Sequence, residues 1–144
     1  MALIKGYNFP DDLYYHKEHT WAKIESNGNI CVGFNDFYQK SAGEITNIDL
    51  PFEGDAVNQG KTCGRIESGK WIGKFVSPVS GTLIKVNIDL EIDPTLINKS
   101  PYKDGWLVTI KPSNLDKDLK NLFKVDKVEL WLVQEIKKAE KNKK

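Results

Sequence analysis

A chain of 144 residues, 40% of them hydrophobic, is long enough for one domain that buries roughly 70% of its unfolded surface, so it needs neither a disulfide framework nor a structural metal. Its 21 Lys+Arg and 20 Asp+Glu almost cancel, which excludes nucleic acid or an anionic membrane as a partner drawn by bulk charge and leaves recognition to local surface. Two cysteines, Cys31 and Cys63, match no zinc spacing and point to a reducing, cytoplasmic compartment; no signal-peptide pattern or apolar run of ~18 residues is present, so the sequence reads as a soluble protein that is not exported.

After an irregular start, residues 14–25 read as a strand that turns at Asn27-Gly28 into a second, 30–34. His16 and His19 on such a strand would face opposite ways, which argues against a shared metal. Asn35 or Asp36 can cap a short helix through Ala42, with Gly43 as its C′ residue. Residues 44–50 alternate as a strand with Ile48 and Leu50 on one face and Ile45 apart, and 56–59 form a short rim strand between glycine turns. Strands 61–66 and 72–76 flank the tip Glu67-Ser68-Gly69-Lys70-Trp71. Strand 82–88 then carries Ile84, Val86 and Ile88 on one face. Asp93-Pro94 starts a helical turn through Ile97, and Asp104-Gly105 turns into a final strand, 106–110, stopped by Pro112. From about 113 to 138 the period becomes helical, Leu115, Leu119 and Leu122, then Val128, Trp131, Leu132 and Ile136, although 130–133 also fits a buried strand. The Lys-rich tail, 137–144, reads as a solvated helix end.

Two stretches resemble one another, Gly43 to Leu50 and Gly81 to Leu90, each followed later by a glycine-led strand at Gly64 and at Gly105. Two such halves suggest a mainly β fold of two antiparallel sheets with approximate twofold symmetry, each half covering the apolar face of the other. The hairpin tip joins the halves. Glycine at the first central position of a two-residue loop suits a type II′ turn with positive φ, which would stand Lys70 at a rigid tip with its ammonium in water.

Other chemistries are poorly served. Gly64 to Lys70 matches a phosphate loop up to its lysine, but Trp71 replaces the Ser or Thr that holds Mg²⁺, and a strand pattern follows where a helix must begin. Neither cysteine has a context that activates it, and no acid, base and nucleophile converge, so the chain reads as a non-catalytic protein.

Residues 15–21, the Gly54-Asp55 turn, Glu67-Ser68-Gly69-Lys70, residues 77–81, and Pro101-Tyr102 through Leu107 resemble, in order, the H protein of the glycine cleavage system, over roughly residues 10 to 135. The resemblance implies a single lipoyl-domain-like barrel-sandwich hybrid over 1–144 with short helices and carboxyl-terminal helices. It implies lipoic acid in amide linkage to Lys70, with Glu67, Ser68, Gly69 and Trp71 as recognition context. The arm would carry an aminomethyl group between glycine decarboxylase, aminomethyltransferase and dihydrolipoyl dehydrogenase, after loading by a lipoate ligase or lipoyltransferase. The family usually has Val before the lysine, a small residue after it and an acidic residue further on; here these are Gly69, Trp71 and Lys74. That variant resembles the H-protein-like lipoate-binding proteins of sulfur oxidation, whose partner is a heterodisulfide-reductase-like complex. An unlipoylated interaction module is the third reading.

Overall fold

The computed structural model describes residues 2–142. In chain order its elements are β1 (Ala2–Ile4), β2 (Tyr7–Phe9), β3 (Tyr14–Tyr15), β4 (Thr20–Ile24), β5 (Ile30–Phe34), α1 (Asp36–Ala42), β6 (Ile45–Asp49), β7 (Ala56–Val57), β8 (Thr62–Ser68), β9 (Trp71–Val76), β10 (Gly81–Val86), α2 (Asp89–Ile92), α3 (Leu96–Lys99), β11 (Val108–Pro112), α4 (Leu115–Leu119) and α5 (Val128–Asn142), with a 3-10 turn at Val125–Lys127 before α5.

Strands β3-β4-β5-β11-β10-β7 make a six-stranded sheet, β6-β8-β9 a three-stranded one, and β1-β2 a separate ribbon; every pairing is antiparallel. Alternation along the strands sends Ala22, Ile30, Val32, Phe34, Leu83, Val108 and Ile110 of the larger sheet, and Ile45, Ile66 and Phe75 of the smaller, into one cluster between them. Each of these side chains other than Ala22 contributes roughly 1.5–3 kcal/mol by leaving water. Trp21, next to Ala22, points to the other face of the larger sheet. There it joins Phe9, Leu13, Tyr15, Phe37, Val128 and Leu132 under the β1-β2 ribbon and α5. Gly33 makes room for it: a Cβ there would lie 2.4 Å from the indole.

The two facing sheets are unequal, six strands against three, where two similar halves were expected; the two similar stretches share a local feature. β6 runs against β8 and β10 against β11, and each first strand carries a register shift, at Ile45/Asn47 and at Leu83/Lys85. The first shift explains why Ile45 stood apart from the alternation, since an extra residue turns it into the core. The second reverses an expectation: Leu83 is buried, while Ile84 and Ile88 are exposed.

Other boundaries moved as well. The amino end forms the β1-β2 ribbon rather than an irregular lead. The strand expected over 14–25 folds back at Lys17-Glu18 into β3 and β4, so the two histidines flank a turn instead of alternating along one strand. A helical turn expected over 93–97 is replaced by two, α2 and α3, because Asp93 spends its carboxylate on the Thr95 N–H (3.1 Å) and ends one helix before the next starts. The last strand starts two residues later than expected and takes in Pro112, whose partner is Gly81 at the end of the ladder. α4 stops at Leu119, leaving Leu122 outside it, and residues 130–133 are helical. α5 runs on through the Lys-rich stretch to Asn142; residues 143 and 144 lie outside the described residues.

Candidate functional site

The hairpin β8–β9 stands at the centre of the candidate site, with Ser68 opposite Trp71 and only Gly69 and Lys70 between them. Ser68, Ile66, Trp71, Gly73 and Phe75 face inward, and Arg65, Glu67, Ile72 and Lys74 face outward, as pairing and pleat require. A strand, not a helix, follows Lys70, so the phosphate-loop geometry is not formed.

Gly69 does not have the expected turn. Positive φ is found at Gly6, Gly28, Gly43, Gly54 and Gly60, but not at Gly69, so the tip is not type II′. A two-residue loop favours the primed turns without requiring them. Open space surrounds the place where a Cβ would stand on Gly69, so neither backbone nor packing demands glycine there.

What fixes the tip is α1. Asn35 caps this helix, its Oδ1 accepting from the Tyr38 N–H at 2.8 Å, and Gly43 ends it with φ 81. Asn98 holds that end, donating to the Gly43 carbonyl at 2.8 Å and accepting from the Ile45 N–H at 2.8 Å. The exposed Lys70 lays its stem over Gly43, where a Cβ would come within 3.1 Å of Cε. Its ammonium makes no ion pair among the described residues.

Trp71 folds along its own strand. A Cβ on Gly73 would meet the indole at 2.1 Å and the Tyr38 hydroxyl at 2.6 Å, so glycine is what lets both reach that surface. The Trp71 and Tyr38 rings meet edge to face at 5.1 Å, and the Tyr38 hydroxyl donates to the Lys74 carbonyl at 2.9 Å. Burial raises the pKa of that phenol, which keeps it a donor.

Beneath Tyr38 lies His19, stacked at 4.8 Å and 12°, with Trp131 of α5 on it at 5.0 Å. Its backbone is left-handed, φ 77, a costly conformation for a residue with a Cβ. Since Nδ1 accepts from the Asn35 amide at 3.4 Å, Nε2–H donates to Glu135 Oε1 at 2.7 Å. That bond, with Lys138 at 3.0 Å in support, lowers the Glu135 pKa. A line of rings thus runs from the lysine hairpin to the carboxyl-terminal helix.

Of the recognition residues expected from sequence, Glu67 faces outward and pairs with Arg65 at 3.3 Å, and Arg65 also pairs with Asp49 at 3.0 Å. Ser68 turns its hydroxyl inward, buried and without a hydrogen-bond partner among the described residues. Trp71 packs as described. Cys31 and Cys63 are unpaired and lie away from the tip, their thiols pushed up by burial to about 11 and about 12. Sequence reading missed Tyr38, His19, Asn98 and Glu135 as members of this site. Only the cap signals at Asn35 and Gly43 hinted that α1 would be pinned here.

The family described as glycine cleavage H-protein matches residues 13–135, most of the chain. The chain belongs to that family. It is 42% identical to a probable glycine cleavage system H protein of Thermococcus gammatolerans, over 85% of this chain and 91% of the relative. It is also 42% identical to the glycine cleavage system H protein of Anaeromyxobacter sp. (strain K), over 79% and 88%. The crystal structure of a glycine cleavage system H protein from Mycobacterium marinum superposes with a TM-score of 0.77 at 27% identity, covering 88% of this chain and 98% of that one. The two facing sheets are therefore the barrel-sandwich of a lipoyl-type domain, and this H-protein chain is a non-catalytic carrier component. Among the described residues no helix is long and apolar enough to cross a membrane.

Proposed function

We propose that this protein is the lipoyl carrier of a glycine cleavage system, with the group in amide linkage to Lys70. The single observation that carries the reading is the placement of Lys70: the exposed tip of the hairpin in an H-protein fold, free of ion pairs among the described residues. An amide forms on an amine that another protein can reach, and this amine protrudes. Attached there, the lipoyl group would supply thiol–disulfide exchange and a sulfur to which an aminomethyl unit can be passed. The protein's own residues supply position: α1 supports the lysine stem through Gly43 and the hairpin through Tyr38, and the tip itself presents open space around Gly69.

On this reading the partners are a lipoate ligase or lipoyltransferase, then glycine decarboxylase, aminomethyltransferase and dihydrolipoyl dehydrogenase. The sulfur-oxidation reading retains the support of Trp71 and Lys74, while the relatives carry the glycine cleavage name. Reconstitution separates the two. Protein treated with lipoate and an attaching enzyme is expected to gain one lipoyl mass on Lys70 and to support glycine-dependent turnover with the other three components. Turnover only with a heterodisulfide-reductase-like complex and a reduced sulfur donor would replace the pathway. Absence of any mass gain at Lys70 would defeat the carrier reading.

A further inference from the structure

We propose that the outward face of β9, where exposed Ile72 stands beside Lys74 next to the Gly69-Lys70 tip, docks a partner protein that presents a carboxylate beside an apolar socket. This rests on the carrier reading of Lys70 and adds what its partners must look like. Ile72 is 66% exposed on the strand that leaves the tip, two residues from Lys70, where a protein that reaches the lysine meets it. Residues two apart on a strand share a face at about 7 Å, so Lys74 stands beside Ile72, and the turn that carries Lys70 begins one residue before β9.

The charges around this residue are not equivalent. Arg65, cross-strand from Lys74, is neutralised by Asp49 at 3.0 Å and Glu67 at 3.3 Å. Lys70 and Lys74 have no carboxylate within ion-pair range among the described residues. On the outward face Lys74 is thus the cation left uncompensated beside an exposed apolar residue, and it is complementary to a carboxylate at the edge of an apolar pocket. The neutral remainder of the face gives an anionic polymer little to hold.

Side chains, not backbone, make this contact. β9 is an edge strand of the small sheet, and an edge invites another strand to pair with it. Here the Tyr38 hydroxyl already occupies the Lys74 carbonyl, and Tyr38 with Trp71 flanks that edge. Acylation removes the charge of Lys70, so Lys74 is the cation shared by the unmodified and the modified protein. The same surface therefore serves the enzyme that loads the lysine and an enzyme that later reads the arm.

The test uses the full chain with exposed-residue variants, Lys74→Glu, Ile72→Ser and, as a control at the far end of the hairpin, Lys61→Glu. Initial rates of lipoate attachment by a lipoate–protein ligase and of oxidation of the reduced arm by dihydrolipoyl dehydrogenase are measured at low and high salt. Lys74→Glu is expected to raise KM at least tenfold in both assays with kcat unchanged, and to abolish the weakening by salt seen in the unsubstituted protein. Ile72→Ser is expected to raise KM with the salt dependence kept, and Lys61→Glu to change neither. A KM within twofold of the unsubstituted protein for both Lys74→Glu and Ile72→Ser, with Lys70 fully modified, overturns the docking proposal alone. No mass gain on Lys70 in any form overturns the carrier reading and this proposal with it. A concentration-dependent dimer lost in Ile72→Ser would assign the face to a second copy of this chain and overturn it too.

Discussion

Two hairpins in this protein close on a two-residue loop made of one lysine and one glycine. β1–β2 turns at Lys5-Gly6, between Ile4 and Tyr7, and β8–β9 turns at Gly69-Lys70, between Ser68 and Trp71. The first is the primed turn that loop length favours, with φ 54 at Lys5 and 85 at Gly6; the second has positive φ at neither residue. Both lysines are exposed. A tight turn with a protruding lysine therefore does not make a carrier site. What distinguishes Lys70 is its mount: two long paired strands, a helix end under its stem at Gly43, and the Trp71–Tyr38–His19 rings behind it, whereas the strands flanking Lys5 are three residues each.

Gly73→Ala should break the mount most severely. Its methyl would enter the Trp71 indole and the Tyr38 hydroxyl, and overpacking of this kind costs about 1–3 kcal/mol. Urea unfolding should show that loss, and Trp71 should shift its fluorescence as it leaves the strand.

Glu135→Gln tests the far end of the ring line. The folded pKa of Glu135 is lowered from 4.5, first by the His19 hydrogen bond, so its stabilisation is fully present above that pH and lost as pH falls through the folded value. The variant should be about 1 kcal/mol less stable at pH 7, and the gap should close in acid below pH 4.5, as read by unfolding at a series of pH values.

Gly6→Ala sharpens the comparison from the other hairpin. A methyl has room there but the left-handed backbone does not suit it, so a loss of about 1 kcal/mol is expected in the same unfolding assay. Gly69→Val is the smallest change, within about 0.5 kcal/mol of zero, since the site is open and φ is not positive. A loss of more than 1 kcal/mol at Gly69 would restore the primed turn that loop length alone suggested.

The sequence discloses the hairpin and its support unequally. The strands on either side of Lys70 and the cap pair Asn35 and Gly43 are local patterns of period, turn and cap, and all were readable. The β1–β2 ribbon went unread because its strands are only three residues long, although Lys5-Gly6 between Ile4 and Tyr7 carried the signal. Register shifts at Ile45 and Leu83 displaced the alternation by one residue, which no count of apolar positions reveals. The ring line was out of reach for a different reason. His19, Tyr38, Trp71 and Trp131 come from four distant segments, and only the tertiary fold brings them together.

The comparison of the two lysines comes down to one mass measurement. Unsubstituted protein, Lys5→Arg and Lys70→Arg are exposed to lipoate with an attaching enzyme and read by intact mass with peptide mapping. Arginine keeps the charge, but its guanidinium stays protonated and cannot take the acyl group. One lipoyl group is expected on the first two proteins, always at Lys70, and none on Lys70→Arg. Modification of Lys70→Arg, or a group found on Lys5 of the unsubstituted protein, would contradict the claim that the mount selects the lysine.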